Sequence, residues 1–174
     1  MELISDGSIS NHITKKIYQF SFEFFLPKLF PNNSIIHNQQ LIEQAFGHSE
    51  KSVVVGWLPL FHDMGLIGNV MQPIYLGIPC ILMPPVAFLQ KPIRWLKAIS
   101  KYRATTSGGP NFAYDLCVQK VQPEQLASLD LSSWDLAFNG AEPIRAETLE
   151  QFSQKFAQCG FNSVSYTHLR AHET

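Results

Sequence analysis

The chain has 174 residues, 45% of them hydrophobic and 16% charged, ordinary globular composition for one core or for part of a larger domain. Thirteen basic against fourteen acidic residues leave a formal net charge of −1, so no long-range field favours nucleic acid or an anionic membrane as partner. The aromatic-rich run 17–30 is interrupted by Glu23 and then by Pro27 and Lys28, too short for a membrane span and without the small-residue cleavage site of a signal peptide.

Residues 1–32 crowd Phe20, Phe22, Phe24, Phe25 and Phe30 together without a settled period, and they receive neither a fold nor a role. From Ser34 onward Ile35, Ile36, Gln39, Leu41, Ile42, Ala45 and Phe46 predict an amphipathic helix that Gly47 ends in the left-handed conformation. His37 and His48 read as solvated helix residues, not ligands. Residues 53–57 form a short apolar run that predicts a strand, and it leads onto a loop carrying His62 and Asp63. That pair has two readings, capping the helix that begins near Gly65 or contributing to a site.

The helix after it carries Leu66, Ile67, Val70 and Met71, and residues 80–83 predict a second strand after Gly77 and Pro79. Pro84 and Pro85 mark a turn. Pro92 suits the first turn of a helix whose Ile93, Leu96, Ile99 and Tyr102 share one face, with Arg94, Lys97, Lys101 and Arg103 toward water. A strand at 104–107, a turn at 108–111 and a helix through Phe112, Leu116 and Val118 come next. After a polar link at 123–133, residues 136–138 predict another strand and 139–143 another turn. A closing helix from Pro143 carries Leu149, Phe152 and Phe156 and ends at Gly160.

Repeated strand–turn–helix units predict an α/β fold, a partial, mostly parallel sheet with helices on both faces. Ligands of such sheets bind beyond the carboxyl ends of the strands. The loops HDMG at 62–65, GGPN at 108–111 and NGAEP at 139–143 all fall on that edge, which makes a shared site the natural expectation.

Gly108 and Gly109 let backbone approach a flat or elongated ligand, or simply form a tight turn before Pro110. Asn139 and Gly140 can line a planar ring. Glu142 either contacts a ligand or favours the positive end of the helix beginning at Pro143. Phe61, Met64, Phe88, Phe112 and Tyr114 are candidates for an apolar tunnel or plain core. There is no G-x-S-x-G elbow, no glycine-rich phosphate loop ending in Lys and no metal-ligand cluster. Cys80, Cys117 and Cys159 lie far apart beside apolar residues and read as reduced core thiols of a cytoplasmic protein.

Between about residues 35 and 162 the blocks WLPLFHDMGLIG, QPIYLG, PVAFLQKPIRWL, YRATTSGGPNFAYDLC and LDLSSWDLAFNGAEPIRAETLEQF occur in that order. They resemble the fatty-acyl-AMP ligases of the adenylate-forming superfamily, which also holds acyl-CoA synthetases. The resemblance implies attack of a fatty carboxylate on the α-phosphate of ATP with Mg²⁺, giving acyl-adenylate and pyrophosphate. The acyl group then passes to an acyl carrier protein or, in related enzymes, to coenzyme A. It further implies that His62 orients the reacting carboxylate, with Asp63, Met64 and Gly65 beside it in the acyl and nucleotide pocket. Gly108, Gly109, Pro110, Asn111 and Phe112 would belong to that pocket too, and Asn139, Gly140, Ala141, Glu142 and Pro143 to the strip that packs on adenine.

The family's glycine- and serine-rich phosphate loop would stand just before the helix containing His37 and Gln39, and residues 1–32 hold nothing like it. Also absent are its Tyr-Gly motif with the Mg²⁺-binding Glu, the ribose-binding Asp and the small domain with the catalytic Lys, so no metal ligand is assigned here. The terminal VSYTHLRAHET resembles the conceptual translation of a sequencing-library adaptor, and His168 with His172 is not read as a metal pair. The expectation is therefore three segments: 1–32 unassigned, 33–162 part of the large ligase domain, and 163–174 an adaptor-derived tail. As an internal fragment the chain is expected to be inactive in adenylation on its own. The alternatives are a fragment of an acyl-CoA synthetase, a non-catalytic acyl-binding module, or a non-functional half-sheet with exposed edges.

Overall fold

The computed structural model describes residues 2–3, 34–163 and 166–168. The phenylalanine cluster at 20–30 and His172 lie outside the described residues. In chain order the strands are β1 (Glu2–Leu3), β2 (Val54–Gly56), β3 (Cys80–Leu82), β4 (Thr106–Gly109), β5 (Leu136–Asn139) and β6 (Tyr166–His168). They form one sheet in the order β1-β3-β2-β4-β5-β6, and every neighbouring pair is parallel. The sequence reading assigned no element to residues 166–168.

The helices are α1 (Ser34–Phe46), α2 (Asp63–Leu66), a π-helix (Ile67–Met71) and α3 (Gln72–Leu76), then α4 (Pro85–Gln90) and α5 (Ile93–Tyr102). They continue with α6 (Asn111–Lys120), α7 (Pro123–Leu126) and α8 (Ala146–Phe156), the last running into a 3₁₀ turn at Ala157–Cys159. Parallel neighbours need crossovers, and these helices supply them on both faces of the sheet. On one face Val54, Cys80 and Leu82 pack with Val70. On the other, Val55 and Ile81 meet Trp57, Phe88, Trp95 and Tyr114.

The second face holds the larger core. Trp57 stacks on Phe88 at 4.0 Å between ring centroids. Trp95 meets Trp134 edge to face at 5.3 Å, and Phe152 packs on Phe156 at 4.4 Å. Such pairs add about 0.5–1.5 kcal/mol beyond their burial. α5 has the expected periodicity: Ile93, Leu96 and Ile99 are buried, while Arg94, Lys97, Lys101 and Arg103 face water.

Four local expectations shift. β4 runs two residues further than expected, because Gly108 and Gly109 pair with Phe138 and Asn139; they are strand residues, not a turn. Pro85 opens α4, consistent with proline's fixed φ at a helix start. α7 forms within the presumed link, with Pro123 in its first turn and a capping box between Gln122 and Gln125. α8 begins at Ala146, not at Pro143.

Candidate functional site at the carboxyl edge of the sheet

All three loops singled out from the sequence leave carboxyl ends of parallel strands. After β2 the chain buries Trp57 and Leu58, then turns, with the His62 N–H donating to the Pro59 carbonyl at 3.2 Å. His62 is the N-cap of α2: its Nδ1 accepts from the Met64 N–H at 3.2 Å, and its carbonyl accepts from Gly65 and Leu66. In the neutral ring this places the proton on Nε2. Gly65 is fixed by close approach, since a Cβ there would lie 2.2 Å from the Pro59 carbonyl oxygen.

The other two loops are tied to each other. Asn111, buried at the start of α6, donates from Nδ2 to Thr148 Oγ1 at 3.2 Å. Its Oδ1 accepts from the Arg145 N–H at 3.1 Å and from Asn139 Nδ2 at 3.5 Å. Glu142 accepts from the Phe112 N–H, so its carboxylate serves the amino terminus of α6 rather than a helix beginning at Pro143. Ala141 is held at φ +66°, a left-handed conformation that costs about 1–2 kcal/mol for a residue with a Cβ. Asn139 Oδ1 is buried without a hydrogen-bond partner among the described residues.

A cavity of about 520 Å³ lies between α1, the helical run from α2 to α3, and the sheet. His62, Asp63 and Met64 line it at one end, with Ala141 from the third loop. Its long walls are apolar: Leu41, Ile42, Ala45 and Phe46 of α1, Ile67 of the π-helix and Phe138 of β5. His48, Gln72 and Thr106 complete the lining. A concave, mostly apolar pocket with a few convergent polar groups is the form of a small-molecule site.

Of the residues expected from the sequence, the cavity thus gathers His62, Asp63, Met64 and Ala141. Gly65, Gly108 and Gly109 are structural, the last two fitted against the Phe138 backbone and the Trp57 ring. Pro110 caps α6, Gly140 is buried, and Pro143 is exposed. Phe88 and Tyr114 are core, whereas Phe61 is 94% exposed and Phe112 43%, so the five aromatic and methionine candidates do not share one tunnel. His48 lies beyond α1 and is half-buried, with Nε2 3.2 Å from Thr106 Oγ1, not on a solvated helix face. Burial lowers its pKa. The α1 wall and Gln72 were missed as site residues; α1's apolar stripe was the available signal.

The sequence pattern of the AMP-binding enzyme family matches residues 30–165. The chain belongs to the AMP-binding enzyme family. The chain is 56% identical over 132 residues to the medium-chain-fatty-acid–[acyl-carrier-protein] ligase TtuA of Teredinibacter turnerae, covering 76% of the chain and 21% of the relative. It is 50% identical over 130 residues to the like-named ligase JamA of Moorena producens, covering 75% and 22%. A fatty acyl-adenylate ligase from L. pneumophila, solved with acyl adenylate and pyrophosphate, superposes with a TM-score of 0.75 at 50% identity, over 76% of this chain and 23% of that one. The chain therefore spans about a fifth of the length of the curated relatives it matches.

Proposed function

We propose that this chain supplies the acyl wall and part of the adenine wall of a ligase that activates a fatty acid with ATP and passes the acyl group to an acyl carrier protein. The observation that carries the reading is a mostly apolar cavity whose lining includes both His62 and Ala141, the latter from the loop matched to adenine. An alkyl chain fits between α1 and the helical run, and a carboxylate at the mouth meets His62, whose Nε2 proton can hydrogen-bond it. The role is orientation, without proton transfer. Asn139 Oδ1, buried without a partner among the described residues, is an acceptor suited to the amino group of adenine.

ATP supplies the leaving pyrophosphate. Among the described residues no group of three or more His, Cys, Asp or Glu side chains is placed to hold a metal ion. The names of TtuA and JamA support a carrier protein over coenzyme A as acceptor. Three buried free thiols accord with a cytoplasmic setting, and no helix among the described residues is long and apolar enough to cross a membrane.

Titration calorimetry of the purified chain with decanoate tests the reading. Saturable binding with a negative heat-capacity change is expected, weakened in His62→Ala; an absence of binding overturns it. The same preparation is expected to show no ATP–pyrophosphate exchange, because phosphoryl transfer depends on charge neutralisation that these residues do not provide. Clear exchange would refute that expectation.

A further inference from the structure

The cavity wall contains a polar group that a plain alkyl chain leaves unused. Gln72 opens α3, is fully buried and lines the cavity, yet neither Oε1 nor Nε2 has a hydrogen-bond partner among the described residues. A buried carboxamide left unpaired costs about 1–3 kcal/mol. An alkyl chain cannot offset that cost, whereas a hydroxyl both donates to Oε1-type acceptors and accepts from N–H donors.

The helical run starts at Asp63 beside His62 and delivers the chain to the start of β3, so it travels from the carboxyl edge of the sheet back to the amino edge. Nine residues separate Asp63 from Gln72, about 13 Å of helix axis. Thr106, the first residue of β4, lies at that same amino edge, in register with Val54 and so with Cys80. It holds His48, whose Nδ1 is itself buried without a partner among the described residues. The cavity is therefore polar at His62, apolar along its walls and polar again at its far end. The π-helix that immediately precedes Gln72 belongs to a rare class concentrated at functional sites, and it contributes Ile67 and Gly68 to the lining.

We propose that the cavity selects an aliphatic carboxylate bearing a hydrogen-bonding group, a hydroxyl or carbonyl, toward its far end, received by the Gln72 carboxamide with the His48–Thr106 pair at the same end. Gln72 is thus a specificity-determining residue; the inference rests on the acyl reading of the same cavity and goes beyond it by naming the substituent.

The test compares decanoate with ω-hydroxydecanoate by calorimetry on the full 174-residue chain, wild type and Gln72→Met. Wild type is expected to bind the ω-hydroxy acid about tenfold more tightly, the equivalent of one ~1.4 kcal/mol hydrogen bond. Gln72→Met fills similar volume without polar atoms, so it is expected to abolish or invert that preference, with a thermal melt confirming the fold. Equal or tighter binding of decanoate by wild type overturns the proposal whatever the variant does, and so does a hydroxyl preference that survives in Gln72→Met. Binding of neither acid overturns the acyl reading together with this inference, whereas decanoate binding without a hydroxyl preference overturns this inference alone.

Discussion

Gly108 has no room for a side chain. A Cβ there would stand 2.1 Å from the Phe138 carbonyl oxygen and 2.5 Å from its ring, and that carbonyl also accepts from the Tyr114 hydroxyl at 2.7 Å. Gly108→Ala is expected to force β4 and β5 apart and to cost about 3 kcal/mol, the upper range of overpacking effects, read as a lower midpoint in urea. A loss within ~0.5 kcal/mol would show that the close approach is not needed. His48 makes a different prediction. Burial lowers its pKa from 6.5, so below 6.5 the unfolded chain takes up a proton that the folded ring resists. The stability linked to His48 is therefore complete above about 6.5 and is lost as pH falls toward the lowered folded value. Melting temperatures of wild type and His48→Gln, compared between neutral and mildly acidic pH, check this: the variant is expected to lose less on acidification.

Between elements, a buried chain of hydrogen bonds joins α5, β4 and β2. Trp95 Nε1 donates to Ser107 Oγ at 2.8 Å, and that hydroxyl donates to the Val55 carbonyl at 2.6 Å. Ser107→Ala leaves the Trp95 N–H buried and unpaired, at an expected cost of about 1–3 kcal/mol, measurable by urea unfolding; a neutral result would mean that the indole finds another acceptor. α5 itself was legible in the sequence because its face repeats every three or four residues and Pro92 marks its start. The strand at 104–107 was legible too, but its extension through Gly108 and Gly109 was not, because glycines have no side chains to show a period, and only pairing with β5 decides that they are strand. For the same reason the site was partly legible. His62 stands in a polar break after an apolar run and can be singled out by eye, whereas Gln72 sits in an apolar helix, and only its burial, without a partner among the described residues, marks it.

At the scale of the molecule the sheet divides the labour between its faces. One face is closed by aromatic rings, with Trp95, Tyr114, Trp134, Phe152 and Phe156 almost wholly buried. The other holds a cavity against α1, whose Leu41 is 51% exposed although it lines that cavity. Stability and ligand affinity are then separable by face. Phe152→Ala is expected to cost about 3–5 kcal/mol, a large share of the ~5–15 kcal/mol that holds a domain together. Leu41→Ala is expected to change stability by no more than about 0.5 kcal/mol, as for an exposed position, yet to weaken decanoate binding by roughly 1 kcal/mol through lost apolar contact. The ligand provides the second readout: at a hundred times its Kd it adds about 2.7 kcal/mol to the folded state, which for a chain of this size raises Tm by roughly 5–10 °C. Melts of the three proteins with and without decanoate separate the contributions. Wild type and Leu41→Ala should melt together in its absence and diverge at sub-saturating ligand, while Phe152→Ala should melt early in both conditions. If Leu41→Ala melts as early as Phe152→Ala without ligand, the cavity face is part of the folding core and the division fails.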